Sequence, residues 1–144
     1  MSEPLPTRAD FPAIRSITTR WMDNDVYGHV NNVVYYSFFD TAVNAHLIEQ
    51  GVLDPATSPV IGLVVETGCR YAAPITFPDR VDAGVRVARI GTSSVRYEVG
   101  LFRNDEDAAA AFGHFTHVYV NRETRRPVPI PDAVRTVLEG LVVA

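Results

Sequence analysis

A mostly apolar segment between two turn signals constrains the fold of this chain more than any other feature. Over residues 32–50 nearly every position up to Ile48 is Val, Tyr, Phe, Ala or Leu. A helix here, roughly 28 Å long, would have to be covered on most of its sides. Asn31 or Asn32 can cap its start, and Gly51 can end it. Its clearly polar positions form one narrow stripe with the spacing i, i+3, i+7, namely Ser37, Asp40 and Asn44.

The segments around this helix favour β-structure. A first strand is predicted over residues 13–21, where Thr18 and Thr19 favour extended backbone. Short connections between the later strands imply antiparallel pairing. The sequence therefore predicts an α+β fold in which a five-stranded antiparallel sheet wraps around a long central helix, followed by a short helix that opens at Pro131 and Asp132. The later strands are predicted over residues 60–73 (with Gly62 and Gly68 as candidate bulges), 80–90, 94–103 and 108–121.

The length of 144 residues is that of one domain with an adequate core. Residues 1–12 hold three prolines and no clean periodicity, so they are predicted to be a poorly ordered lead-in. Residues 13–144 are predicted to form the single domain.

Composition excludes several kinds of partner. The net charge of −4 gives no electrostatic reason to expect nucleic acid. No apolar run approaches the ~20 residues of a membrane span, and the N-terminus lacks the order of a signal peptide. The single cysteine, Cys69, fits a reducing compartment. We therefore expect a soluble, cytoplasmic protein that binds neither nucleic acid nor membrane.

The acidic turn before the helix holds the candidate catalytic carboxylates. Asp23 and Asp25 lie two apart, so an extended backbone would direct both side chains to one face. Neighbouring carboxylates raise the pKa of at least one of them, which suits a base or nucleophile that is partly buried. The structural alternative is that both are turn and capping residues.

Gly28 and His29 follow in the same turn. Gly28 permits a backbone geometry closed to other residues, and the next helix exposes unpaired N–H groups at its first turn. Such donors, with the positive end of the helix dipole, can stabilise an oxyanion. His29 is either a proton carrier or the donor of a structural hydrogen bond.

Other catalytic arrangements are absent from the sequence. It has no GxSxG elbow, no phosphate-binding or dinucleotide glycine pattern, and no evident partner for Cys69. His114 and His117 are three apart in a predicted strand, which directs them to opposite faces, so no metal site is predicted. His46, within the apolar helix, is predicted to be a core histidine.

Residues 23–36, DNDVYGHVNNVVYY, resemble the hotdog-fold acyl-CoA thioesterases of the 4-hydroxybenzoyl-CoA thioesterase type. The similarity extends over about residues 15–135 and includes the segments 70–75, 91–94 and 124–131. It implies an acyl-CoA thioesterase in which Asp25 is nucleophile or general base. Backbone N–H groups near Asn31 and Asn32 would polarise the thioester carbonyl.

The resemblance also implies assembly and substrate contacts. Family members form dimers, often paired into tetramers, whose sheets join edge to edge with active sites at the subunit interface. No cofactor is expected, because coenzyme A is part of the substrate. Besides Gly28 and His29, the candidate substrate contacts are Tyr35 in the helix and Ser93 and Ser94 at a strand corner; each has a structural alternative, in the core or in a plain turn.

Two other functions remain open at this stage. A hotdog hydratase or dehydratase of acyl thioesters would need a positioned histidine, and only His29 lies in the right region. A non-catalytic acyl-CoA-binding module is the second. The helix carboxylates Asp40 and Glu49 are alternative catalytic acids and rank behind Asp25.

Overall fold

A computed structural model describes residues 4–143, and their architecture is one antiparallel sheet around one helix. The strands lie in the order β1-β3-β4-β5-β2, and every neighbouring pair is antiparallel. The predicted α+β fold is confirmed, although the central helix is shorter than expected. The elements are β1 (Ala13–Thr18), α1 (Val34–Glu49), β2 (Val60–Tyr71), β3 (Arg80–Ile90), β4 (Ser94–Arg103), β5 (Ala111–Asn121) and α2 (Asp132–Glu139).

The core lies between α1 and the inner face of the sheet. Apolar residues alternate along β3 and β4, and one face of each strand supplies core residues such as Val85 and Val99. Ser37, Asp40 and Thr41 are exposed, so the polar stripe is the uncovered side of the helix. The buried side of α1 consists of Tyr35, Phe38, Phe39, Ala42, Val43 and Leu47.

Several boundaries differ from the prediction for local reasons. β1 ends at Thr18 because residues Trp21–Asp23 form a 3₁₀ turn. α1 begins at Val34, after a turn in which Asn31 Oδ1 accepts the Val33 N–H at 2.9 Å. The bulge in β2 lies between Val64 and Glu66, and not at either glycine.

The two glycines of β2 leave room for the histidine side chains of β5. A Cβ at Gly62 would lie 2.8 Å from His117 Nδ1, and one at Gly68 would lie 2.7 Å from His114 Nε2. Both positions therefore need glycine because an imidazole ring occupies the space of the side chain. His114 and His117 lie on opposite faces of β5, as predicted.

The segment before β1 packs on the outer face of the sheet. Phe11 is buried where Gly84 leaves room: a Cβ there would lie 2.6 Å from the Phe11 ring. Arg8 forms a 2.6 Å ion pair with the buried Asp82. For residues 4–12 this order corrects the prediction of a poorly ordered lead-in; residues 1–3 lie outside the described part of the chain.

No helix among residues 4–143 is long and apolar enough to cross a membrane.

Candidate active site

A tight turn before α1 positions Asp25. The Gly28 N–H donates to the Asp25 carbonyl at 3.0 Å, and the Asp25 N–H donates to the His29 carbonyl at 2.9 Å. Gly28 has φ +82°, a left-handed conformation that side chains with a Cβ disfavour. The Tyr27 N–H donates to Asp25 Oδ1 at 2.9 Å. These bonds fix the carboxylate relative to the helix start.

The structure separates the two aspartates of the motif. Asp23 is fully buried, accepts the Arg20 N–H at 2.8 Å and pairs with the Arg20 guanidinium at 2.8 Å. It has the structural role that the sequence left open. Asp25 is half-buried, and no cationic side chain in residues 4–143 lies within salt-bridge distance of it. Asp25 is thus the carboxylate available for chemistry.

The two asparagines at the helix start have different surroundings. The Asn31 N–H is engaged with the Asp23 carbonyl at 2.8 Å, and the Asn31 side chain spans Val33 and Asp25. The Asn32 N–H has no acceptor among the described residues. Of the two amides predicted to polarise a carbonyl, therefore, only that of Asn32 is unpaired.

These groups open into a cleft of about 480 Å³. Tyr71 forms one wall: its hydroxyl donates to the Asn32 carbonyl at 2.9 Å, and its ring packs edge-on against Tyr35 at 4.8 Å between centroids. Burial raises the pKa of Tyr35, so its phenol stays neutral. The residues that line the cleft are Asp25, Tyr27, His29, Val30, Asn32, Tyr35, Tyr71, Ala72, Ala73 and Pro74.

Sequence reasoning missed part of this wall. Tyr27 and Tyr71 were not predicted as site residues, although the segment 70–75 was noted in the resemblance. A tyrosine that ends a strand has no distinctive local pattern, and only its position beside α1 assigns it to the cleft. Gly28 contributes through the turn and does not line the cleft.

Ser93 and Ser94 lie at the other end of the sheet. Ser94 pairs with Val118, and Val118 pairs with Leu63. The cleft begins at Tyr71, eight residues further along β2, which is roughly 25 Å at the strand rise of ~3.3 Å. The carbonyls of both serines accept backbone N–H groups of a turn and of Tyr119. Within one chain, then, these serines do not line the cleft, and their contact with substrate stays a prediction.

The remaining titratable candidates lie elsewhere. His46 was predicted to be a core histidine, but it is only half-buried, beside Glu49 and Arg15. Burial lowers the pKa of His46, and the Glu49 carboxylate acts in the opposite direction. Asp40 is on the exposed stripe of α1, where partial burial raises the pKa of its carboxyl. No group of three or more His, Cys, Asp or Glu side chains within residues 4–143 could hold a metal ion.

Comparison with known proteins gives the class to which this fold and cleft belong. The family model of the thioesterase-like superfamily matches residues 19–138. The PA5185 protein from Pseudomonas aeruginosa strain PAO1 is similar at 52% identity and a TM-score of 0.95, over 98% of this chain and 99% of that chain. No significant match occurs among curated protein sequences.

Two further solved structures are similar along most of their length. The PA2801 protein from Pseudomonas aeruginosa, described as a candidate thioesterase, has 30% identity and a TM-score of 0.81, over 89% of this chain and 98% of that chain. The BH1999 gentisyl-coenzyme A thioesterase has 25% identity and a TM-score of 0.75, over 85% of this chain and 99% of that chain.

The chain therefore belongs to the thioesterase-like superfamily and has the hotdog fold. It is a thioester hydrolase, and the resemblance seen in residues 23–36 is confirmed at this level.

Proposed function

We propose that this protein is an acyl-CoA thioesterase that uses Asp25 to hydrolyse the thioester bond. One observation carries the proposal: Asp25, whose carboxylate has no salt-bridge partner, and Asn32, whose N–H at the start of α1 has no acceptor, line the same cleft. Hydrolysis of an activated acyl group needs these two elements, an activated attacker and a donor for the oxyanion.

Asp25 acts as general base or as nucleophile. As a base it removes a proton from water while the water oxygen bonds to the carbonyl carbon; as a nucleophile its own oxygen forms that bond, and water then hydrolyses the mixed anhydride. In either case Tyr27 and Asn31 hold the carboxylate in place. Solvent oxygen-18 found in Asp25 after a single turnover would establish the nucleophilic role, because a general base forms no bond to the water oxygen.

The start of α1 stabilises the tetrahedral intermediate. The Asn32 N–H, at the positive end of the helix dipole, donates to the oxyanion that forms from the thioester carbonyl. Collapse of the intermediate breaks the carbon–sulfur bond and releases the coenzyme A thiolate. Because a thiol has a pKa near ~8.5, its thiolate leaves with little acid assistance. No step requires a resident cofactor or metal, and coenzyme A belongs to the substrate.

We further infer that two copies join through β2. β2 is an edge strand of the sheet, so its outer N–H and C=O groups are unpaired within the described chain. Its middle carries the exposed apolar residues Val64 and Val65, and the neighbouring turns expose Tyr27 and Val33. Antiparallel pairing of β2 with its copy would satisfy the strand edge and cover these side chains, with the cleft at the interface. A pair of such dimers gives the tetramer.

The test is release of free thiol from a panel of acyl- and aryl-CoA thioesters. Gentisyl-CoA is included because a structural relative is described as acting on it. Asp25→Asn keeps the size of the side chain and removes its charge, and we expect a loss of at least about 100-fold in kcat. Asp40→Asn is the matched control, an exposed carboxylate on α1 outside the cleft, and it should keep native turnover.

Each other outcome has a distinct meaning. Turnover retained by Asp25→Asn but lost by Asp40→Asn would move the base to α1. Loss of enoyl-CoA absorbance without thiol release would replace hydrolysis by hydration, with His29 as the candidate acid. Saturable binding with no turnover of any thioester would indicate a binding module.

A further inference from the structure

A small second cavity lies near the C-terminal half of α1, away from the Asp25 cleft. It encloses about 40 Å³ between α1, the first residues of β2, the end of β5 and α2. Most of its wall is apolar, but Asn44, His117 and Tyr119 bring polar groups to it. A polar cavity of this size holds one small group, because a water molecule occupies about 30 Å³ of liquid volume.

Three buried polar groups lie at this cavity and just behind it. His117 Nδ1 has no hydrogen-bond partner among the described residues. The hydroxyls of Tyr97 and Tyr119 have no partner there except each other. The His117 ring centre lies 5.7 Å from that of Tyr97 and 6.3 Å from that of Tyr119, and Tyr97 is completely buried. A buried ring nitrogen without a partner is rare in folded proteins, and beside two buried hydroxyls it indicates an occupant with a polar group.

The occupant must be uncharged. Burial lowers the pKa of His117 to about 4, so its imidazole is neutral at physiological pH. Burial also raises the pKa of both Tyr97 and Tyr119, so their phenols are neutral as well. No charged side chain lines the cavity. A carboxylate or ammonium group would lose its hydration here without a counter-charge, whereas a hydroxyl group would find donors and acceptors.

The cavity faces the free edge of β2. His117 Nδ1 lies directly against Gly62, where a Cβ would be only 2.8 Å away. Gly62, in the edge strand β2, and Asn44, on the uncovered stripe of α1, are both half-buried. The way in from solvent therefore lies between α1 and β2, on the side where the proposed dimer partner would pack.

The dimer proposed above brings this cavity close to the Asp25 cleft of the other copy. A two-fold axis near the middle of β2, at Val65 and Glu66, sets Cys69 of one protomer opposite Gly62 of the partner subunit. Tyr71, the wall of the cleft, is two residues from Cys69. Paired strands are about 5 Å apart, so the cavity opening and the cleft wall become neighbours.

We propose that this cavity is a specificity subsite that receives the far end of the acyl group and selects acyl chains ending in a neutral hydroxyl. The thioester lies at Asp25 of one protomer, and the acyl group extends across the interface. Its terminal hydroxyl then bonds His117 and Tyr119 of the partner subunit. This inference rests on the proposed function and on the proposed dimer.

The test measures binding and turnover separately. Coenzyme A thioethers, which cannot be hydrolysed, are prepared in a series of chain lengths with and without a terminal hydroxyl, and their affinities are measured by calorimetry on the full-length protein. At one chain length the hydroxylated compound should bind about tenfold more tightly than its unsubstituted counterpart. The matching thioesters should show the same preference in kcat/KM.

Three variants assign the preference to this cavity. Tyr119→Phe removes one hydroxyl, whose only neighbouring side-chain partner is the Tyr97 hydroxyl, so the protein should fold and lose most of the preference. Gly62→Ala displaces the His117 ring and should abolish the preference for the hydroxylated compound. Gly68→Ala is the matched control, because its Cβ would lie 2.7 Å from His114 on the opposite face of the sheet, as close as the 2.8 Å from a Cβ at Gly62 to His117. This variant should keep the preference for the hydroxylated compound.

The measurements distinguish failure of the proposed subsite from failure of the proposed hydrolysis. Equal affinity of both thioethers at every chain length, or a preference that survives Tyr119→Phe, would overturn the subsite and leave a structural water as the occupant. Turnover without any preference would overturn the subsite but keep the thioesterase. A binding preference without thiol release would keep the subsite and overturn the proposed hydrolysis.

Discussion

Asn31 joins the start of the central helix to the candidate catalytic carboxylate: its Nδ2 lies 3.5 Å from Asp25 Oδ2, and its Oδ1 accepts the Val33 N–H at 2.9 Å. One side chain thus closes the turn before α1 and orients the candidate base. The two tasks use opposite ends of the same amide, so substitutions can separate them.

Asn31→Ala should impair both stability and activity. Loss of the bond to the Val33 N–H should lower the free energy of unfolding by about 1 kcal/mol. Release of Asp25 should lower kcat about tenfold. Asn31→Asp keeps an acceptor for Val33 but sets a second carboxylate beside Asp25, which raises the pKa of the pair. The free energy of unfolding of Asn31→Asp near pH 7 should therefore stay closer to that of the native protein than does that of Asn31→Ala. The pH–rate profile of Asn31→Asp should shift to higher pH, because of the raised pKa.

Denaturant unfolding and a pH–rate profile separate these effects. An unshifted pH–rate profile for Asn31→Asp would show that Asn31 acts only in closing the turn before α1.

Gly28 should be required for catalysis more than for folding. Gly28 and Gly51 both have positive φ, +82° and +76°, and a Cβ at either meets nothing within 4 Å. Alanine at either position therefore introduces the same backbone strain, about 1 kcal/mol, with no clash. Gly28→Ala should also lower kcat, because the strained turn carries Asp25, whereas Gly51→Ala should keep native kcat. Equal kcat in the two variants would contradict this role of the turn.

The proposed dimer predicts that the two edge strands respond differently to charge. Val64 in β2 and Ile14 in β1 have the same side-chain exposure, 43%. Val64→Lys should halve the mass measured by light scattering, or shift it toward that of the monomer, because a buried ammonium opposes strand pairing. Ile14→Lys should leave the assembly unchanged. Dissociation caused by Ile14→Lys alone would place the interface at β1, and a monomeric native protein would refute the dimer.

His117 should make stability depend on pH in mildly acidic solution. Burial lowers its pKa from 6.5 to about 4 in the folded chain. Between these values the unfolded chain binds a proton that the folded chain does not, so stability falls as the pH falls through this interval. The loss attributable to His117 should reach about 3 kcal/mol. The free energy of unfolding of His117→Leu should fall less steeply from pH 7 to pH 4, and parallel curves for the two proteins would refute the assignment.

The secondary structure was largely predictable because its patterns are local. The alternation of β3 and β4 predicted their buried faces, and the polar stripe of α1 predicted its uncovered side. The errors lie where a side chain from elsewhere determines the backbone. The glycines of β2 suggested bulges, but they are there because histidines of β5 occupy the space beside them. The first residues lacked periodicity, yet Phe11 is held by a gap above Gly84 on the outer face.

The sequence by itself determined the class of the protein and its candidate base, because the acidic turn, Gly28 and the two asparagines are contiguous and their geometry is local. Tertiary structure decided which aspartate has no salt-bridge partner, because Arg20 pairs with Asp23 and leaves Asp25 without one. It also decided which amide has no acceptor, because the Asp23 carbonyl accepts the Asn31 N–H and leaves that of Asn32 unpaired among the described residues. It also placed Tyr71 in the wall of the cleft, and Ser93 and Ser94 at the other end of the sheet within the same chain. Those assignments depend on strand register and on contacts between distant segments, which hydrophobic periodicity does not encode.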